Sequence, residues 1–321
     1  MATLNTLAIS SQAGNTGKQA AAFQPKNIVG AILTPKGYVL TAAKIAALQA
    51  SLQADALASS KANRIFPIFG FLTTQDSSED ITVQTHGYGA KHVVREGFMD
   101  WKFEYVDGGL AVHKKLRLSN GVGHDFLFVD ADNKIIGTST VDSTGAPALK
   151  AIPCDGGFFY AHPWKANDGS KIAQYLLQFV FAPKFINEYL GFVDAGFDLA
   201  TNLSGAVDVV LSSPSANATS GSYNVVAKTV DVNTNLSDIY PVELAAPAAW
   251  VCTNDAGAVI PITGVTYSAA ISGYVLVLDK TSANYPSGSG AKVNFSLVSP
   301  TALAALGVTY YESGSVAIVK N

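Results

Sequence analysis

The chain has 321 residues, of which 48% are apolar and only 14% are Asp, Glu, Lys or Arg, with a formal net charge of -3 and a pI near 5.9. Self-contained soluble domains carry about 25% charged residues, so this chain is expected to bury much of its surface, first of all against copies of itself. The balance argues against a basic nucleic-acid-binding face, which needs clustered Lys and Arg, but leaves room for a neutral or mildly acidic wall past which nucleic acid slides.

Length predicts two domains and an arm. Residues 1–40 read as an N-terminal arm, with a small polar tract Ser10-Ser11-Gln12-Ala13-Gly14-Asn15-Thr16-Gly17 that cannot order itself. The apolar patches at 28–33 and 38–40 are expected to add a strand to another subunit. Residues 41–60 form the clearest helix: Thr41 is an N-cap candidate, and Ile45, Leu48, Leu52 and Leu57 recur at helical spacing in an Ala-rich stretch.

From Arg64 the texture is β. Strands are expected over 65–71, 81–85, where alternation predicts a half-buried strand, and 98–105, with its aromatics on one face. Asp107-Gly108-Gly109 reads as a turn. Residues 126–129 and 134–137 flank Asp130-Ala131-Asp132-Asn133 as a hairpin, 174–182 is a long apolar strand, and 207–211 closes the domain. Residues 212–222 read as a linker. Short strands at 223–230, 248–252, 259–267, 274–279, 292–298 and 316–319, with one helical turn at 301–306, then predict an immunoglobulin-like sandwich. The expected fold is thus mainly β: a β-sandwich domain over 41–211 with one flanking helix, and a small immunoglobulin-like β-sandwich over 223–321.

No residue set stands out for chemistry, so no catalytic, cofactor-binding or metal site is expected, and no enzyme. The two cysteines, Cys154 and Cys252, are too few for a disulfide framework and read as buried free thiols. His86, His92, His113, His124 and His162 show neither HxH nor HxxxH spacing on a helix, which leaves zinc without an organised ligand set. The 130–133 segment resembles the start of a calcium loop but has no Gly or Glu at the required positions; turn formation explains its Asp and Asn side chains. GxSxG and GxxxxGK[ST] are absent, no GxGxxG opens a helix, and Glu79-Asp80 reads as part of a solvated loop. The aromatics at 66–71 and 101–105 could form a sugar platform, but core packing accounts for them better. Met1 to Gln12 lacks a basic region followed by an apolar core, so no signal peptide is expected, and no run reaches the ~18 apolar residues of a membrane span.

Gly87-Tyr88-Gly89, Val93-Val94-Arg95-Glu96-Gly97, Phe103-Glu104-Tyr105-Val106-Asp107-Gly108-Gly109, Phe128-Val129-Asp130 with Ile136-Gly137-Thr138, Phe158-Phe159-Tyr160-Ala161-His162-Pro163-Trp164, and Phe179-Val180-Phe181 before Pro183 and Asn187 together resemble a structural protein of tailed bacteriophages, most like a tail tube subunit. From about Leu244 the chain is similar to the immunoglobulin-like modules appended to such virion proteins. The resemblance implies a tail-tube-like fold, two packed sheets with one outer helix. It implies hexameric homo-oligomeric rings that stack into a channel for phage DNA, alongside other virion proteins. The virion tail would be its location after synthesis in the bacterial cytoplasm. It further implies that loops such as 73–80 and 120–125 order on assembly. A collar ring, tail terminator, head fibre or minor capsid protein is an alternative, and a glycan-binding surface adhesin is one from another class.

Overall fold

A computed structural model describes residues 4–6, 26–105, 108–154, 156–166, 175–214, 221–288 and 290–320. The polar tract at 10–17 lies outside the described residues, as do Asp107 and 215–220. The chain divides into two compact units, one comprising Met1–Ala56 and Ser60–Ser204, the other Leu57–Ser59 and Gly205–Asn321.

The first unit runs β1 (Leu4–Thr6), β2 (Ile28–Thr34), β3 (Val39–Leu40), α1 (Ala42–Ala46), α2 (Leu48–Ala56), β4 (Phe66–Phe69), β5 (Phe71–Asp76), β6 (Thr82–Thr85), β7 (Lys91–Arg95), β8 (Met99–Tyr105), α3 (Gly109–Arg117), β9 (Asp125–Asp130), β10 (Lys134–Val141), β11 (Pro147–Lys150), β12 (Phe158–Ala161), β13 (Tyr175–Phe181), α4 (Lys184–Asn187), β14 (Leu190–Asp194) and α5 (Leu199–Asn202). Its larger sheet has the order β1-β14-β10-β9-β2-β4, with β11 pairing β10 and β3. The smaller sheet is β12-β13-β8-β5, antiparallel throughout. Strand alternation sends odd and even residues to opposite faces, and this builds three layers. Leu33, Phe126, Phe128 and Ile136 of the large sheet meet Phe103, Tyr105, Phe159, Phe179 and Phe181 of the small one. On the other face of the large sheet, Ile32, Leu127, Val129, Ile135 and Val193 receive Ile45, Leu48, Leu52, Ala56, Leu199 and Leu203. The inter-sheet core is aromatic: Phe126, Phe128, Phe179 and Phe181 sit with ring centroids 5.1–5.9 Å apart, mostly tilted or edge-to-face, the arrangements that ring quadrupoles favour.

Several expectations are corrected here. Residues 28–40 are no docking arm. β2 lies inside the large sheet between β9 and β4, because its run Ala31, Ile32, Leu33 is apolar on both faces and both faces are covered. Gly30 permits the close approach of β4: a Cβ there would meet Phe69 Cδ1 at 2.5 Å and the Ile68 carbonyl at 2.7 Å. The helix expected over 41–60 is two helices. Thr41 does cap the first, its side chain accepting from the Lys44 amide at 3.4 Å, but Ala47 leaves helical geometry, and the break keeps Ile45, Leu48 and Leu52 all buried on the sheet. The single strand expected at 65–71 is two strands that part at Gly70. In the described part of the turn expected at 107–109, Gly108, at φ 72°, is the N-cap of α3, whose His113 and Leu116 are buried. The large sheet is thus flanked by more than one helix.

The second unit contains β15 (Val207–Ser212), β16 (Ser222–Thr229), α6 (Leu236–Ile239), β17 (Trp250–Asn254), β18 (Ile262–Ser268), β19 (Gly273–Leu278), β20 (Lys292–Leu297), α7 (Pro300–Ala305), β21 (Tyr311–Ser313) and β22 (Val316–Val319). One sheet is ordered β18-β19-β16-β15-β21 and the other β17-β20-β22. Lettered from β15, these are the D-E-B-A and C-F-G sheets of an immunoglobulin constant-type sandwich, with β21 added parallel to β15 at the open edge of strand A. Trp250 is buried on the third strand, and its Nε1–H donates to the Leu244 carbonyl at 2.8 Å. Residues 207–211 therefore open this unit instead of closing the first, since β15 pairs with β16. The stretch 212–222 joins two neighbouring strands of one sheet and is not an interdomain linker.

Candidate functional site

The small sheet of the first unit has features that the core does not explain. Its inner face is buried aromatic core. The outer face carries Asp100, Lys102 and Glu104 on β8 and Gln178 on β13, all half-buried. They form a bonded row: His162 Nε2–H donates to Gln178 Oε1 at 2.8 Å, and Gln178 Nε2 donates to both Asp100 oxygens at 2.8 and 2.9 Å. Lys102 Nζ lies 3.5 Å from Asp100 and donates to Ser77 Oγ at 3.3 Å. Phe158 and Tyr160 of β12 stand exposed beside this row, Tyr160 directly opposite Gln178, and Trp164 is exposed beyond the end of β12.

Both lateral edges of the sheet, β12 and β5, lack a partner strand among the described residues. Such edges offer rows of backbone N–H and C=O groups to another chain. β5 is exposed from Leu72 to Asp76, so the part of the expected 73–80 loop at Thr73 to Asp76 is edge strand.

Between β5 and β8 the chain leaves the sheet as a separate two-stranded hairpin, β6–β7. All of its strand residues are exposed, which corrects the half-buried strand expected at 81–85. An isolated hairpin is at best marginally stable in water. This one nevertheless exposes Ile81, Val83, Tyr88, Val93 and Val94, with Val83 directly opposite Val93. Its alternation is real, but no layer of the unit covers either face.

The histidines do not converge. His86 and His92 share the hairpin tip with ring centroids 5.0 Å apart. His113 is buried under β12, with Nδ1 2.9 Å from the Tyr105 hydroxyl and Nε2 2.8 Å from the His162 carbonyl. Desolvation holds His113 below the usual imidazole range, and it does the same to His124. Among the described residues no three His, Cys, Asp or Glu side chains are grouped to hold a metal. Asp130 is buried and accepts from the backbone amides of Asp132 and Lys134, each at 2.9 Å, while Asp132 pairs with Lys26 at 2.6 Å. The 130–133 segment is therefore a turn already filled by amides and a lysine. Cys154 is half-buried, and Cys252 is buried, which pushes its thiol up to about 12. No helix among the described residues is long and apolar enough to cross a membrane.

The remaining expected loop, 120–125, is pinned in the free chain. Asn120 bonds both backbone groups of Ala161. Asp125 is buried and accepts from the amides of Gly37 at 2.6 Å and Cys154 at 3.3 Å. Sequence reasoning placed Asn120 in a loop but missed its bonds to Ala161, because that partner is distant in sequence. The exposed hairpin was legible in part, since Val93-Val94 beside Tyr88 marks an apolar stretch among polar residues.

Comparison with known proteins returned no matching family, no matching curated protein and no matching solved structure.

Proposed function

We propose that this chain is a structural virion subunit that closes into rings through its small sheet and stacks them into a tube for genome passage. The observation that carries the reading is the four-stranded antiparallel sheet with no partner strand on either edge among the described residues, and an exposed hairpin rising from it. Strand directions alternate across β12-β13-β8-β5, so β5 runs opposite to β12. When copies are placed side by side by rotation, the β5 edge of one meets the β12 edge of the next antiparallel. A ring then forms one continuous antiparallel barrel with no free edge. The helices seal the outer face of the large sheet, which leaves the polar face of the small sheet to line the channel. Six copies would bring about 24 strands at about 4.8 Å spacing, a backbone diameter of at least about 37 Å. Asp100 and Glu104 on that wall outnumber Lys102, which disfavours phosphate adhesion.

The low charge fits the same reading. Neutral flanks bury between copies without the cost of stripping water from ions, and each Å² of apolar surface covered contributes roughly 25 cal/mol. The hairpin, with apolar residues on both faces, is the element available to the next ring. The subunit would be made in a bacterial cytoplasm and work in the virion tail.

Electron microscopy and light scattering of the purified full chain over rising concentration test this. Rings and stacked tubes support it; single layers favour a collar or terminator ring; a chain that stays monomeric at every concentration removes it. The exposed Phe158 and Tyr160 beside Gln178, with exposed Trp164 shortly after β12, favour one second reading, a glycan-binding face. Saturable binding of an oligosaccharide by the monomer, lost in Tyr160→Ala and Trp164→Ala, would select it.

A further inference from the structure

The β12 edge is not open along its whole length. Ala161 donates its amide to Asn120 Oδ1 at 2.7 Å, and Asn120 Nδ2 donates to the Ala161 carbonyl at 3.0 Å. A residue of an adjacent antiparallel strand exchanges this same pair of bonds. The ladder geometry explains why Ala161 is available for it. The His162 amide donates inward to the Leu176 carbonyl at 2.9 Å, and backbone groups alternate between inward and outward along a strand. Phe159 and Ala161 therefore point to the free side. The Asn120 amide occupies Ala161 and leaves Phe159.

We infer that Asn120 is an assembly latch: its side-chain amide imitates a neighbouring strand on β12 and must leave Ala161 before a second copy's β5 can pair along that edge. The inference rests on the ring reading above and names the contact that regulates it. Occupancy is exclusive, because the single Ala161 N–H is already committed at 2.7 Å and the Asn120 amide stands where the backbone of an incoming strand would lie.

The surroundings make departure local. Asn120 sits in the turn after α3, where its own amide donates to the Arg117 carbonyl at 3.2 Å, and the exposed Gly121 (φ 76°) and Gly123 follow it. The helix itself stays anchored by buried Leu116 and by His113 Nε2–H donating to the His162 carbonyl at 2.8 Å. Swinging the turn exchanges two side-chain hydrogen bonds for two backbone ones, so the release adds a barrier with little net loss once the partner strand has arrived. The free subunit is thereby protected against uncontrolled edge pairing, a hazard that exposed strands otherwise carry.

The test uses the full-length wild type, Asn120→Ala and Asn120→Asp at equal concentration. Growth is followed by light scattering and electron microscopy, and Ala161 amide exchange is followed in the unassembled chains. Losing two hydrogen bonds of ordinary net strength predicts roughly tenfold lower critical concentration or shorter lag for Asn120→Ala, and faster Ala161 exchange. Asn120→Asp keeps the acceptor and loses the donor, so it falls between. If the wild type assembles and both variants match its lag and critical concentration, the latch is overturned and the ring reading stands. A ring image in which Asn120 still bonds Ala161 overturns it equally. If none of the three assembles while all remain folded, the ring reading fails and the latch with it. Should Asn120→Ala lose its fold, Asn120→Asp and the ring image decide.

Discussion

The Tyr105 hydroxyl meets His113 Nδ1 at 2.9 Å, which ties the last residue of β8 to the middle of α3. The His113 ring also lies 4.9 Å from the Tyr175 ring, so an imidazole is wedged between the small sheet and the helix beside it. Its other nitrogen donates to the His162 carbonyl. This leaves Nδ1 as the acceptor from Tyr105, the arrangement of a neutral ring.

A pH dependence follows from that neutral ring. Burial lowers the folded-state pKa of His113, so the unfolded chain binds more protons in the window below its ordinary value of about 6.5. Stability from this group is complete above that value and is lost as pH falls through the window. His124 acts in the same direction. Asp132, Asp142, Asp198 and Asp279, all depressed below 3.8, lose their contributions only at lower pH. Thermal unfolding between pH 7 and pH 5 should show the wild type losing stability on acidification, and His113→Gln losing less. Equal slopes for the two chains would contradict the assignment.

The aromatic core sets the largest single-residue effect. Phe128 contacts Trp101, Phe103, Phe126, Phe179 and Phe181, with ring centroids 5.1–5.9 Å apart. Phe128→Ala should cost about 3–5 kcal/mol, the usual loss of transfer energy plus cavity, measured by urea unfolding. Phe128→Leu should recover most of it.

The hairpin separates folding from assembly. Val83 and Val93 face each other and are both exposed, so changing them to Lys and Glu, an opposite-charge cross-strand pair, should alter stability by about 0.5 kcal/mol or less per site. Tube length in electron micrographs should nevertheless collapse, with single rings persisting. Tubes of normal length in the double variant would remove the hairpin from the stacking contact.

Chain truncation checks the revised boundaries. A chain ending at Ser204 keeps every strand of the first unit, and folding should survive in circular dichroism and thermal melts. One ending at Gly221 keeps β15 without β16 and exposes Val209 and Leu211, so aggregation is expected. At the other end, deleting residues 1–40 removes β2 from inside the large sheet and should abolish folding. Deleting residues 1–25 removes, among the described residues, only the edge strand β1 and should leave the fold intact.

One prediction concerns the second unit alone. The Trp250 indole N–H donates to the Leu244 carbonyl in a buried setting. Trp250→Phe leaves that carbonyl unpaired and should destabilise the sandwich by about 1–3 kcal/mol. Little change in unfolding free energy would show that another donor replaces it.

Alternation and turn residues in the amino-acid order were enough to determine that this protein is mainly β, that its second half is a run of short strands, and that Thr41 starts a helix. These are local properties: a side chain's direction follows from the backbone period, and Gly, Asp and Asn report turns by their own geometry. Low charge was legible for the same reason, since composition needs no coordinates. Tertiary structure alone decided the rest. An apolar run such as Ala31-Ile32-Leu33 reads alike as a docking strand or a central strand, and only the presence of sheet neighbours on both sides distinguishes them. Likewise, whether Val83 and Val93 face a core or water depends on what packs over them, and the Asn120 amide reaches Ala161 across 41 positions of chain. Pairings between distant residues are set by which surfaces the folded layers bring together, and no local period encodes that.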